Sequence, residues 1–576
     1  MVENGKAIKL QILSRRKNNM RKAVGLRRSM IIHWLLALCL LVAVQTPVFA
    51  DESGIKNVII LMMDGTGSAH TTITRWYKGE PLALDSMSLG GVRTYSADSL
   101  ITDSAPAATA FATGHKSNDK FVGVLPGVVT IPGVPQISDD LKYKPVATVL
   151  EGAKLTGKSA GLVATSNIQH ASPAGYSAHW PARSNYNEIA EQQVYLDIDV
   201  VFGGGKKYLI PNAQGGARTD GENLIDLLRS RGYEIVETRN EMLETKAKKV
   251  WGLFAEDAMS YEYDREMFTP AQPALAEMTQ EAIEILSKNE KGFFLFVEGS
   301  KIDWASHAND PIGVIGDVLA FDDAVRVALD FASRDKKTLV LAFSDHGNGG
   351  MSLGNKSTDA TYSKFPLEAL VTPLRKATLT GEGIEKVLAG DRSESNIRSV
   401  LLRYYGIDDL SDSEITAIQN APAGKMNYVV GPMISSRSKI GWTTNGHVGE
   451  DLFLYVYGLK NPLGMIENTQ IAHLSARSLG FDLADVDSKL FQQADRAFMN
   501  IGATVRIDTT DTANPLLVVE KGSAYAELPF SKDVMRIGKR GKVNEYELEG
   551  ITVFAPNTGK VYVPEQAVRL FNMNSR

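Results

Sequence analysis

Residues 57–65 read NVIILMMDG, an apolar run behind Asn57 that stops at Asp64 and Gly65. A short continuous apolar run bounded by a turn signal fits a strand buried on both faces, as parallel sheets covered by helices provide. Two later stretches repeat the pattern: FFLFV at 293–297 runs into Glu298, and TLVLAF at 338–343 runs into Ser344, Asp345 and His346. Between such runs the apolar residues change period, as in Leu275, Met278, Ala282, Ile285 and Leu286, which fill one face of a helix. The alternation predicts an α/β fold with a mostly parallel sheet. In open sheets of this kind ligands sit at the carboxyl ends of strands, so the three acidic strand ends are expected to converge. Taken singly, each reads more readily as a strand-end cap or turn.

The 576 residues exceed what one ordinary domain needs, and 44% hydrophobic with 22% charged residues is globular usage. One strongly apolar stretch stands near the start: nine Lys/Arg and a single acid, Glu3, flank residues 31–44, followed by Val48-Phe49-Ala50. This is the layout of a secretory signal peptide over 1–50 with its cut after Ala50. A membrane anchor would need about 20 apolar residues, so no membrane span is expected after cleavage. Cys39 lacks the small preceding residue of a lipoprotein signal, Arg27-Arg28 allows twin-arginine export, and Met20 or Met30 are alternative starts. Without the leader the net charge of −5 becomes −13, which argues against a nucleic-acid-binding surface or a hold on anionic lipid. Cys39 is the only cysteine, so no disulfide staples the exported chain; core burial or bound metal must stabilise it.

Within Glu298-Gly299-Ser300-Lys301-Ile302-Asp303-Trp304-Ala305-Ser306-His307, a helix starting near Ile302 puts Asp303 and His307 on one face, able to share a metal ion. Thr102-Asp103-Ser104-Ala105-Pro106 precedes a helix-prone segment that Gly114 ends. Ser104 reads there as an ordinary N-cap with proline just inside the helix. Most such serines do nothing else; the functional alternative is a nucleophile, because a helix N-terminus beside a metal favours an alkoxide and a bound anion.

Asp64, Thr102-Asp103-Ser104-Ala105, Glu298…Asp303…His307, Asp345-His346 and Thr444-Asn445-Gly446-His447-Val448-Gly449-Glu450-Asp451 together resemble the alkaline phosphatase family in order and character, over about 57–483. The resemblance implies a large central, mostly parallel sheet between helices, with a metal centre at its carboxyl edge. It also implies hydrolysis of phosphate monoesters through a phosphoserine on Ser104, and a homodimer, the common state of the family. Carried over residue by residue, one Zn2+-type site is Asp303, His307 and His447; a second is Asp64, Asp345 and His346, which Ser104 can also ligate. A third, Mg2+-type site is Asp64, Glu298 and Ser172. Arg183 matches the arginine that grips phosphate, with Asp103 orienting it. His170 and Trp304 stand where the best-known bacterial form has aspartate and lysine, which opens the third site to Zn2+ or Co2+ as well.

Residues 51–484 are accordingly expected to form the catalytic domain. Within it, 351–439 is an insertion with helical patterns such as 397–405, read as a lid or dimer contact. Residues 485–576 are a linker and a small β-rich module. His70, His115, His179 and His473 fall outside the matched positions and are expected to be ordinary surface or core histidines. The competing readings are a related metal-dependent phosphodiesterase or sulfatase, and a metal-free surface binding protein. A sulfatase needs a modified Cys or Ser in its own motif, and complete ligand sets argue against the binding protein.

Overall fold

The computed structural model describes residues 54–461, 463–539 and 541–575. The leader read over 1–50, with Cys39 and the Ala50 cut, lies outside them. No helix among the described residues is long and apolar enough to cross a membrane.

Ten strands make the central sheet: β1 (Asn57–Met63), β2 (Ser88–Arg93), β3 (Ser159–Asn167), β4 (Val200–Gly204), β5 (Glu234–Val236), β6 (Val250–Ala255), β7 (Phe293–Gly299), β8 (Thr338–Phe343), β9 (Leu452–Tyr457) and β10 (Met465–Glu467). Their order is β10-β2-β9-β8-β1-β7-β3-β4-β6-β5. Only β9 runs against the rest, pairing antiparallel with both β2 and β8. The three apolar runs are thus adjacent central strands, and every residue of β1, β7 and β8 is buried.

Burial on both faces follows from helices on each side. Leu275–Leu286 presents the five predicted apolar residues, all buried, to the core. Val318, Phe321 and Val325 of a 25-residue helix, Pro311–Asp335, join them against Ile59, Leu61, Leu295 and Val340. Each such side chain contributes roughly 1.5–3 kcal/mol when fully buried, so the strands that present the site are held by a large apolar core.

Residues 351–439 form a helical layer that includes Glu394–Tyr405, the helix expected there. Its core of Ile384, Ile397, Leu401 and Ile418 packs onto Ile73, Ile312 and Ile315 of the main body. The C-terminal residues build a five-stranded antiparallel meander over 504–547 and a three-stranded sheet around Lys560–Val563. A final helix, Glu565–Asn574, drops Phe571 into their shared core. Arg231 grips Asp533 with two nitrogens at 2.5 and 2.9 Å, tying this module to the sheet-bearing body.

Candidate active site

Because β1, β7 and β8 are neighbours in register, with Met62 opposite both Glu298 and Phe343, the residues that follow them leave the sheet at adjacent points. Asp64, Glu298, Asp345 and His346 therefore converge as the apolar runs foretold. β9 delivers the last member. An antiparallel strand begins where its neighbours end, so His447, just ahead of it, reaches the same edge. There His447-Val448 pairs antiparallel with Gly347-Asn348, and the His346 and His447 rings stack with centroids 3.6 Å apart. The short helix Lys301–His307 starts directly after β7 and places His307 Nε2 3.3 Å from Asp303 Oδ2. Gly65 permits this closure: its φ is +66°, and a Cβ there would come within 2.4 Å of Asp303 Oδ1.

Hydrogen bonds to carbonyl oxygens settle which ring nitrogens are free, since a carbonyl only accepts. His307 Nδ1 donates to the Asn445 carbonyl at 2.6 Å and His447 Nδ1 to that of Thr102 at 2.8 Å. His447 Nε2 then carries the lone pair, and His307 Nε2, turned toward Asp303, becomes a ligand on losing its proton; a carbonyl on Nδ1 is the arrangement that orients a metal-ligating histidine. Asn348 adds a further support, donating to both the backbone carbonyl of Asp303 (3.0 Å) and its Oδ1 (2.7 Å).

The donor atoms form overlapping groups, each within 4.8 Å: Asp303, His346 and His447; Asp64, Asp345 and His346; Asp64, His170 and Glu298. His346 thus faces two positions, and the His170 ring stands with the oxygens assigned to the third. Both Asp64 oxygens, Glu298 Oε1, Asp345 Oδ2 and Ser172 Oγ are buried without a hydrogen-bond partner. Buried carboxylates are ordinarily paired or bound to a cation. Here burial, then mutual repulsion with Asp345, Asp303 and Glu298, drives the Asp64 pKa well up. Burial likewise pushes Glu298 to about 7 and Asp345 to about 6. Asp303 goes the other way: burial opposes, but the His307 hydrogen bond and the surrounding imidazoles hold it low. Burial and the adjacent His346 lower His447 to about 4, so its ring is neutral and fit to ligate.

Beside this cluster opens a pocket of about 490 Å³ whose lining includes Asp103, Ser104, Lys120, His170, Arg183 and Trp304. Ser104 is the first residue of the helix Ser104–Thr113, and Asp103, not Ser104, is its N-cap, accepting from the Ala105 N–H. That moves the cap one residue upstream of the expectation and leaves the Ser104 hydroxyl free of capping. Its Oγ lies 3.0 Å from His346 Nε2. Arg183 donates through Nη1 to Asp103 Oδ1 (2.7 Å) and through Nη2 to His170 Nε2 (3.0 Å). A guanidinium only donates, so His170 Nε2 holds the lone pair and Nδ1 the proton. Burial, then the Arg183 charge, lowers His170 to about 3. Trp304 meets the His170 ring edge-on at 5.7 Å. Ser172 is the second residue of the helix Ala171–Ser177, which starts beyond the end of β3.

Sequence reasoning passed over Asn348 and Lys120, both near the site. Asn348 follows His346 by two residues, which was the only signal. Lys120 gave none. Of the other histidines, His70 sits between Gly67 N–H (3.1 Å) and Ser306 Oγ (3.0 Å). His179 bridges Glu151 (2.9 Å) and the Gly123 carbonyl (2.8 Å). Both are satisfied core residues. In the helical insertion, burial and then the Asp303 charge raise the phenol pKa of Tyr428.

A family model described as alkaline phosphatase matches residues 55–480. "Alkaline phosphatase 3" of Bacillus subtilis is 36% identical over 457 residues, covering 75% of this chain and 91% of its own. "Repressible alkaline phosphatase" of Saccharomyces cerevisiae is 32% identical over 532 residues, covering 81% and 90%. Among solved structures, the Thermus thermophilus alkaline phosphatase superposes with a TM-score of 0.65 at 28% identity, over 74% of this chain and 92% of that one.

Proposed function

Since the chain belongs to the alkaline phosphatase family, and is thus a phosphatase of monoesters, we propose that it acts through a phosphoserine on Ser104. We further propose an exported protein holding two zinc-type ions and a third of magnesium, zinc or cobalt type. The observation that carries the reading is the Ser104 hydroxyl, freed from capping and set 3.0 Å from His346 Nε2 on the floor of a pocket gripped by Arg183.

The residues fit metal ions on their own chemistry. Four carboxylates crowd with the neutral imidazoles of His170, His346 and His447, and five buried oxygens lack a hydrogen-bond partner. Asp303, His307 and His447 would hold one ion, Asp64, Asp345 and His346 a second, and Asp64, Glu298 and Ser172 a third, with His170 alongside. When bound, such ions neutralise the ester's two negative charges, lower the pKa of a nearby hydroxyl or water and stabilise a leaving alkoxide.

The protein groups supply position and charge. Arg183 spends one hydrogen of each outer nitrogen on Asp103 and His170, which leaves one on each for two phosphate oxygens, a bidentate clamp. Asp103 holds the guanidinium in place, and its own pKa stays low because Arg183 and Lys120 outweigh its burial. The first turn of the Ser104–Thr113 helix adds its positive end beneath the ester. Ser104 Oγ attacks phosphorus, the bond to the leaving alcohol breaks, and water then cleaves the phosphoserine to free phosphate. No side chain need act as a general acid, which suits alkaline conditions.

Two features support the remaining expectations. The basic-then-apolar leader favours export. Leu89, Phe453 and Met465 are exposed and share one face at the sheet edge, since Phe453 and Met465 both pair with Gly91; this favours a second copy as partner. The deciding experiment compares aryl phosphate monoester, diester and sulfate with zinc and magnesium supplied, alongside metal analysis by plasma emission. Monoester turnover at least tenfold above the others is expected. Preference for diester or sulfate, or a metal-free protein, would replace the reading.

A further inference from the structure

Lys120 stands in the lining of the reaction pocket, where it pairs with Asp103 but holds no part of the substrate in the mechanism. It is one of few non-glycine residues with positive φ, +69°. A side chain is costly in that conformation, and such strain is characteristically kept where a residue is needed. The turn that carries it is well anchored. The Asn118 side-chain oxygen accepts from Gly127 N (2.7 Å) and Val128 N (3.0 Å), its amide donates to the Val128 carbonyl (2.8 Å), and the Lys120 carbonyl accepts from Arg183 N (2.8 Å).

From this rigid base the ammonium reaches Asp103 Oδ1 and Asp119 Oδ1, each at 3.1 Å. Asp103 Oδ1 is also the atom that holds Arg183, so one oxygen serves two cations. They differ in exposure: the Arg183 side chain is 17% exposed and that of Lys120 55%. Arg183 is locked by two partners at the inner end. Lys120 is a flexible cation in contact with water, whose pairing with exposed Asp119 is weak and exchangeable. A monoester clamped by Arg183 directs its leaving alcohol away from Ser104, toward the open part of the pocket. Of the two cations in the pocket lining, Lys120 is the more exposed and so the better placed to meet a leaving group.

We propose that Lys120 is a specificity-determining residue that binds a second anionic group, a phosphate, on the leaving alcohol, so that substrates with two phosphates are preferred over matched monophosphates. The proposal rests on the monoesterase reading above. On binding, the ammonium exchanges Asp119 for the outer phosphate, and no bond is made or broken by it.

The test uses the metal-loaded full-length protein and a matched pair, propane-1,3-diol bisphosphate and propane-1,3-diol monophosphate, with initial rates taken for release of the first phosphate. Lys120→Met removes charge at similar length, and Lys120→Arg keeps it. In Lys120→Met the ratio of kcat/KM for bisphosphate over monophosphate should fall about fivefold, the upper range for an exposed ion pair, chiefly through KM. Lys120→Arg should restore most of the ratio, and raised salt should shrink it in the wild type. An equal loss on both substrates would mean that Lys120 acts only through Asp103, and an unchanged ratio would mean that it meets no leaving group; either overturns the proposal. If the wild type hydrolyses neither compound, the monoesterase reading has failed instead.

Discussion

Ser104 Oγ and His346 Nε2 lie 3.0 Å apart, although 242 residues separate them in the chain. The contact joins the start of a helix to the turn that follows β8, and it sets a hydroxyl beside the histidine shared by two of the donor groups. Ser104→Ala should therefore lower monoesterase kcat about 10²-fold or more while ions still direct water to the ester. Quenching the wild type in acid during turnover should leave phosphate on the Ser104 peptide. A fully active alanine variant, or no labelled peptide, would remove serine from the pathway.

Removal of the ions should cost stability in a pH-dependent way. In the stripped protein Glu298 titrates near 7 and Asp345 near 6, with Asp64 also raised. Groups with raised folded-state pKa contribute stability that is present below the ordinary carboxylate range and lost as pH rises through the folded values. Asp303, held low, titrates beneath this window. Thus the Tm gap between loaded and chelated protein should widen from pH 5 to pH 8, and ion uptake at pH 7 should release protons. A gap that stays constant across that range, measured by scanning calorimetry, would contradict the assignment.

Arg183→Lys keeps the charge but loses the fork. Losing charge-assisted bonds of about 1.5–3 kcal/mol corresponds to roughly a 10–150-fold fall in kcat/KM. Phosphate inhibition should weaken in parallel, and metal content should stay as in the wild type. Unaltered phosphate inhibition would place the clamp elsewhere.

Asn348 touches no substrate but fixes Asp303 by two hydrogen bonds. Outer-shell partners of this kind typically change metal affinity or activity by about 10–100-fold. Asn348→Ala should show that loss at limiting zinc and recover much of it when zinc is raised. Loss that excess zinc does not relieve would assign Asn348 a purely structural part.

The legible parts of this protein were those written locally. Asp64, Glu298, Asp345 and His346 each end an apolar run, and Asp303 and His307 share one helix face, so pattern alone nominated them. Arg183, Ser172 and His447 carry no local signal and came from resemblance. What escaped depends on tertiary neighbours. Asn348 matters only because a two-residue bridge lays it against His447 and Asp303, and Lys120 only because its turn lies beside Arg183. The cap at Ser104 was misplaced by one residue because Asp103 and Ser104 are both good caps. The closing helix Glu565–Asn574 was hidden among short alternating strands.

The lone reversed strand has a consequence in time. β2 is made early, yet its partners in the sheet are β9 and β10, so residues 88–93 wait unpaired until 452–457 and 465–467 have been synthesised. The same late segment brings His447. The donors of two groups are synthesised by residue 346, but the group of Asp303, His346 and His447 is completed only by the stretch that also seals the sheet. A chain that emerges in order therefore holds the parts of the centre well before the sheet edge that frames it can close.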